Sequence, residues 1–203
     1  MKVSIFVHVL VALFMVQLCN QINLSLAIRT LPSQTYVDYI KTSCNVTIYP
    51  RLCCKSLSVY AEKIKTDPKL LAYTALNVTL RATNRASVLI NRLSKTQGLR
   101  AIEAAAVQDC VEVIGDAVDE LQDAIWEMGQ LGSSDFALQI SDIQTWVSAA
   151  LTDDDTCVDG FAGREMDGRV KDAVRRHVLK VAHLTSNALA LVNSYASAQA
   201  ALP

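Results

Sequence analysis

From Pro68 to Ala198 apolar residues return at every third or fourth position, and almost nowhere do they alternate as a half-buried strand requires. A chain patterned in this way folds as amphipathic helices whose apolar stripes face one another. The pattern predicts four long helices. The first, near Pro68 to Ser94, carries Leu71, Ala75, Val78, Ala82, Leu89 and Leu93 on its seam, and Asp67-Pro68 makes a good N-cap and first-turn pair. The second, near Gly98 to Met128, uses Ile102, Ala106, Cys110, Val113, Ala117, Leu121 and Ile125, and stops before Gly129 and Gly132. The third, near Asp135 to Leu151, uses Phe136, Ile140, Ile143, Val147 and Ala150. The fourth, near Glu165 to Ala198, uses Val170, Val174, Val178, Val181, Thr185, Ala188, Val192 and Tyr195. Mostly short connections make consecutive helices antiparallel, so the expected class is all-α, an up-down-up-down four-helix bundle. Ahead of it, Thr35 to Thr42 and Leu52 to Ile64 form a short N-terminal helical hairpin.

A chain of 203 residues, 51% hydrophobic and 19% charged with only 7 Gly and 4 Pro, can bury a real core and is neither a disordered polyampholyte nor a linker. Its first residues read differently. Lys2 is the only charge before an apolar run from Val3 to Leu18, and Ser25-Leu26-Ala27 offers a small-x-small cleavage site. The run is about 16 residues, short of the roughly 20 that a spanning helix needs. Residues 1–27 are therefore expected to be a cleaved signal peptide and 28–203 the mature domain, secreted and free of the membrane.

Cleavage removes Cys19 and leaves Cys44, Cys53, Cys54, Cys110 and Cys157 in an oxidising compartment. An odd count suggests two bridges and one leftover thiol. Cys44 and Cys53 flank a short polar turn and can close it locally. Cys110 and Cys157 then pair over a long span, valued at roughly 4 kcal/mol in the chain-entropy model against roughly 3 for the short loop. They staple the second helix to the residues just after the third. Cys54 remains, read as a thiol buried on a helix in preference to an intermolecular bridge or a reactive site.

The sequence supplies no catalytic constellation. It contains no G-x-S-x-G, no G-x-x-x-x-G-K-[ST], no H-E-x-x-H and no G-x-G-x-x-G. His177 and His183 lack the Glu-x-x-His spacing of di-metal bundles, and His177 is expected at the bundle edge. The cysteines lack the C-x-x-C spacing of a zinc site. An EF-hand beginning at Asp153 would need Gly and Glu where Val158 and Arg164 stand, which argues against calcium. No metal, no cofactor and no enzymatic activity are expected.

Charge is segregated. The segment from Ala101 to Gly160 holds fourteen of the 20 acidic residues and none of the 19 Lys and Arg. Glu112, Asp116, Asp119 and Asp123 follow i, i+4, i+7, i+11 spacing, one stripe roughly opposite the apolar seam. Like charges so spaced gain nothing within a helix. The stripe is either a solvated face, partly neutralised by bases such as Arg169, Arg175, Arg176 and Lys180, or a docking face for a cationic partner. A net charge of −1 gives no bias toward nucleic acid.

Four stretches carry a resemblance: Ser43-Cys44-Asn45-Val46-Thr47-Ile48-Tyr49-Pro50-Arg51-Leu52-Cys53; Asp109-Cys110-Val111-Glu112 with Asp116-Ala117-Val118-Asp119-Glu120-Leu121; Thr145-Trp146-Val147-Ser148-Ala149-Ala150-Leu151-Thr152; and Asp155-Thr156-Cys157-Val158-Asp159-Gly160-Phe161. In this order and with this cysteine placement the chain resembles the plant invertase and pectin methylesterase inhibitor family, from about Tyr36 to Tyr195. The resemblance implies a bundle with an N-terminal hairpin, the same two disulfides, and a secreted protein that blocks a cell-wall or vacuolar carbohydrate enzyme.

Members resembling invertase inhibitors carry Pro-Lys-Phe between the second and third helices, where this chain has Ser134-Asp135-Phe136. The stretches at 116 to 121 and 145 to 152 instead resemble pectin methylesterase inhibitors, and with no esterase domain after Pro203 a stand-alone inhibitor is expected. By motif position the resemblance implies contacts with the target enzyme at Glu112, Asp116, Asp119 and Thr156. The expected action is 1:1 non-covalent occlusion of the pectin-binding cleft of a methylesterase, in the apoplast or cell wall. The alternatives are an inhibitor of acid invertase, a binder of acidic polysaccharide and a structural wall protein. Pectin is a polyanion, so binding it directly would require the basic first or fourth helix. Secretion also makes Asn45-Val46-Thr47 and Asn77-Val78-Thr79 candidate glycosylation sites, Asn45 in the exposed disulfide turn.

Overall fold

The computed structural model describes residues 33–201 other than 133, 134, 164 and 167; the expected signal segment, 1–27, lies outside the described residues. Among these residues the regular structure is all helical. A hairpin comprises α1 (Gln34–Cys44), α2 (Pro50–Leu57), a 3₁₀ turn (Ser58–Tyr60) and α3 (Ala61–Ile64); the bundle comprises α4 (Pro68–Leu93), α5 (Ala101–Gln130), α6 (Phe136–Asp159) and α7 (Arg169–Ala200).

Local chemistry sets the helix ends. The Asp67 carboxylate accepts from the Leu70 amide at 2.9 Å, and Pro68 fills the first turn, where its missing N–H has no partner to lose. Asp135 caps α6 by accepting from the Ala137 amide at 2.9 Å. α5 begins at Ala101, three residues later than its periodicity suggests, because Glu103 folds back to accept from the Arg100 amide and guanidinium, each at 3.0 Å. α7 begins at Arg169 rather than Glu165 because Gly168, at φ 133°, takes a turn that other residues resist.

The bundle helices sit as neighbours around a square, α4 beside α5, α5 beside α6, α6 beside α7 and α7 back beside α4. Their seam falls into two apolar clusters. One joins Leu71–Leu76 of α4, Ala117–Met128 of α5, Ile140–Ala150 of α6 and Ala188–Tyr195 of α7 to the hairpin residues Ile40, Leu57 and Ile64. The other surrounds Cys110, Cys157, Phe161 and Val178 at the far end. Between these levels in sequence lie the buried polar residues Thr79 and Thr83 on α4, Asp154 on α6 and Thr185 on α7.

This polar layer explains where the periodicity misleads. On α4 the expected seam residues Val78, Ala82, Leu89 and Leu93 are only half-buried, and the core is met by Thr79, Thr83, Ala86 and Ile90. The threonine hydroxyls are tolerated there because each bonds back one turn, Thr79 to the Ala75 carbonyl and Thr83 to the Thr79 carbonyl, both at 3.0 Å. On α5 the buried ladder runs Val107, Cys110, Ile114, Ala117, Leu121, Ala124, Met128, so Ile114 replaces Val113 and Ala124 replaces Ile125, while Ile102 is exposed. α6 continues two turns beyond Leu151, because Asp154 and Cys157 occupy the core positions that follow Val147 and Ala150. Cys157 therefore lies in the last turn of α6 and not after it.

Two disulfides tie the fold. Cys44–Cys53 closes the hairpin turn with Cα atoms 5.7 Å apart, and Cys110–Cys157 joins α5 to α6 with Cα atoms 4.7 Å apart. Cys54 is a half-buried free thiol. The hairpin docks on the bundle through Ile40, Leu57, Ala61 and Ile64, each no more than 2% exposed; complete burial of such an Ile or Leu is worth about 1.5–3 kcal/mol. At its turn, Tyr49 stacks on His183 with ring centroids 3.7 Å apart, and the Asn187 amide binds both the backbone N–H and the carbonyl of Tyr49.

Candidate functional site

Glu112, Asp116, Asp119 and Asp123 are all exposed on α5, turned away from the ladder that ends in Met128. None of the four makes an ion pair among the described residues, where the pairs are Lys41–Asp38 and Arg100–Glu103. Among the described residues the side-chain hydrogen bond to the stripe comes from Gln122, which donates to Asp119 at 3.3 Å. Three residues beyond Asp123, and on the same face, Trp126 is 65% exposed. The sequence reading missed Trp126 because it sought charge, though the i, i+4, i+7, i+11, i+14 spacing reaches that position. An exposed indole at the end of a bare acidic row has the character of an interface anchor.

The inner flank of the stripe meets α6. Burial raises the Glu120 carboxyl to about 7, with Asp153, Asp116 and Asp123 adding their repulsion. Burial also raises Asp153, and Asp116 pushes in the same direction. Glu120 Oε2 is buried with no hydrogen-bond partner among the described residues, and a proton on Glu120 relieves the repulsion that it shares with Asp153 across the α5–α6 seam. Thr156 stands one turn from Asp153 on the same side of α6, exposed, with its hydroxyl donating to the Thr152 carbonyl at 2.7 Å. Thr152 donates to Ser148 and Thr145 to Ser141 in the same way, so α6 presents a row of hydroxyls whose own hydrogens are already engaged. Asp116 and Thr156 are thereby brought to one two-helix face, with Glu112 and Asp119 a turn to either side of Asp116.

Other candidates lie elsewhere. Asn45 is exposed in the disulfide turn, while Thr47 of the same sequon is buried and donates to the Cys44 carbonyl at 2.8 Å. Asn77 is half-buried, and its amide donates to the Tyr73 carbonyl at 2.8 Å. His177 is exposed, and His183 is packed on Tyr49. Among the described residues no group of three His, Cys, Asp or Glu is placed to hold a metal ion. None of their helices is long and apolar enough to cross a membrane.

The described residues thus form a disulfide-tied helical bundle that displays an acidic two-helix face. The chain is a member of the plant invertase/pectin methylesterase inhibitor family, whose model matches residues 38–191. It is 53% identical over 173 residues to pectinesterase inhibitor 10 of Arabidopsis thaliana, an alignment spanning 84% of this chain and 55% of that protein, little more than half its length. It is 47% identical over 168 residues to pectinesterase inhibitor 11 of the same plant, spanning 81% of this chain and 83% of that one. In fold it is similar to the crystal structure of a mutant form of a pectin methylesterase inhibitor from Arabidopsis, with a TM-score of 0.63 over 76% of this chain and 95% of the other at 22% identity.

Proposed function

We propose that the protein is a secreted inhibitor of pectin methylesterase that docks non-covalently, one to one, over the substrate cleft of the enzyme and so limits pectin de-methylesterification in the cell wall. The observation that carries this reading is the unpaired outward row Glu112, Asp116, Asp119 and Asp123 ending in Trp126, beside Thr156 on the neighbouring helix. The names of its relatives support the target. The inhibitor performs no chemistry of its own. Occlusion needs a contact of ordinary size, roughly 1,200–2,000 Å² in total. Anchoring falls to Trp126, with carboxylates around it to steer encounter with a cationic cleft rim.

In the same reading residues 1–27 are removed on secretion and 28–203 form the inhibitor. Asn45 carries a glycan, and Asn77, whose half-buried amide is engaged with the Tyr73 carbonyl, carries one only if modified before α4 packs. Intact-mass analysis of the secreted protein tests both assignments, and the absence of a glycan at both sites would contradict them. Titration into separate pectin methylesterase and acid invertase assays tests the target. Inhibition of the esterase with invertase untouched supports the proposal; inhibition of invertase alone overturns it.

A further inference from the structure

A cavity of about 300 Å³ opens where the hairpin meets the edge formed by α4 and α7. Four cations converge on it from three elements: Lys55 of α2, Arg81 and Arg85 of α4, and Lys180 of α7. No Asp or Glu lines it, and among the described residues none of the four is paired with a carboxylate. Arg81 and Arg85 stand i, i+4 on one helix face, a like-charge spacing that costs stability unless an anion relieves it. Arg81 is also held in place, donating to the Tyr60 hydroxyl at 2.9 Å with its guanidinium 5.4 Å from the centre of that ring. Placing such a side chain beforehand lowers the entropy lost when it grips a ligand.

The rest of the lining narrows the ligand class. Leu52, Val78 and Leu184 join the Tyr60 ring to form an apolar floor beneath the cations. Inorganic phosphate or sulfate has no apolar face to set against that floor. A uronic acid has one: C–H bonds on the ring face, hydroxyls at the rim and a carboxylate that a guanidinium binds through two parallel hydrogen bonds. A flat protein surface would not enter a recess of this size, within the range of small-ligand sites.

We infer that this cavity binds the free-acid form of a short galacturonate oligomer. The choice of galacturonate rests on the proposed function, since removing methyl esters from pectin exposes such carboxylates. The α4–α7 edge lies across the square from the α5–α6 edge that bears the acidic stripe. The protein can therefore hold de-esterified polymer on one side while the other covers the enzyme that made it.

The test is calorimetric titration of the whole secreted protein at low salt with tetragalacturonic acid, its methyl ester and inorganic phosphate. The free acid binds, the ester binds at least about tenfold more weakly, and phosphate does not compete, as expected if charge-assisted hydrogen bonds carry the affinity. Replacing Arg81→Glu with Arg85→Glu abolishes binding while esterase inhibition and melting temperature persist. Lys55→Gln with Lys180→Gln, on other elements, weakens binding in parallel should the arginine pair disturb folding. Equal binding of acid and ester, displacement by phosphate, no binding of the acid, or unaltered binding by both variants overturns the site. If the wild type binds the acid through these cations yet fails to inhibit the esterase, the functional reading falls and the site stands; inhibition without binding does the reverse.

Discussion

Asp154 Oδ2 lies 2.7 Å from Thr185 Oγ1 in the buried layer between the two apolar clusters, and among the described residues the other carboxyl oxygen of Asp154 has no partner. The Thr185 hydroxyl also lies 3.0 Å from the Val181 carbonyl, and its one hydrogen serves a single acceptor at a time. Burial raises the Asp154 carboxyl to about 8, against the pull of the Thr185 bond, so at neutral pH it is protonated. The acid then donates to Thr185, Thr185 donates to Val181, and no charge is buried.

The pH dependence of stability follows with its sign. Asp154 rises from 3.8 to about 8 on folding, and Glu120 from 4.5 to about 7. The native state therefore binds more protons than the unfolded chain across that interval, and stability is lost as pH rises through it, at up to about 1.4 kcal/mol per pH unit for the buried Asp154 and by less for Glu120, which solvent screens. His183, lowered by burial, contributes in the opposite direction. The carboxyls outnumber it, so the domain melts at a higher temperature at pH 5 than at pH 8.5. Asp154→Asn keeps the layer neutral at every pH and flattens that curve; melting profiles of equal slope in variant and wild type would refute the protonated pair.

Changing Asp116 and Asp119 together to Lys tests the stripe. Both are exposed, so folding is preserved. Removing Asp116 also relieves its repulsion on Glu120 and Asp153, which leaves melting at neutral pH unchanged or slightly raised. Esterase inhibition is lost if the stripe meets cationic groups, since like charges across an interface cost several kcal/mol. Trp126→Ala provides an uncharged counterpart, expected to weaken inhibition by at least ~2 kcal/mol if the indole is the anchor. Full inhibition by both variants makes the row a solvated face only.

The long disulfide is expected to matter more to this face than the short one. Cys110→Ser with Cys157→Ser costs about 2–5 kcal/mol and loosens the α5–α6 pair that carries the stripe. Cys44→Ser with Cys53→Ser acts on the hairpin. Denaturant unfolding of the two variants, with inhibition measured alongside, separates these effects; peptide mapping that found Cys54 bonded to Cys110 or Cys157 would contradict the pairing.

Lys65 joins the hairpin to the bundle at φ 54° and ψ −116°, outside the regions a side chain adopts freely. Strain of this kind is worth about 1–3 kcal/mol, and glycine escapes it at an entropic cost of roughly 0.5–1 kcal/mol. Lys65→Gly is therefore expected to raise the melting temperature; a fall would place the junction in an unstrained conformation.

The sequence disclosed the four long helices because apolar spacing is a direct consequence of helix geometry, and on α7 the seam from Val174 to Tyr195 was read almost residue by residue. It disclosed the acidic row for the same reason. What escaped was polarity inside the core: Thr79, Thr83 and Asp154 carry no apolar mark, and their burial depends on partners a turn away or on another helix. With no apolar mark at Asp154, the periodicity ends the third helix at Leu151 and leaves Cys157 beyond it, where the structure has both on α6. The cation-lined cavity was out of reach too, because Lys55, Arg81, Arg85 and Lys180 converge only once three separate elements are packed.

The clasp between Asn187 and Tyr49 spans 138 residues of chain. Proteins are made from the N-terminus, at about 5–20 residues per second. For roughly 7–28 seconds after Tyr49 is made, Asn187 does not yet exist, and α7 cannot hold the hairpin. Cys44, Cys53 and their neighbour Cys54 are all present from the start of that wait. Which two of them approach first is thus settled by the hairpin alone, before the helix that clasps it has been made.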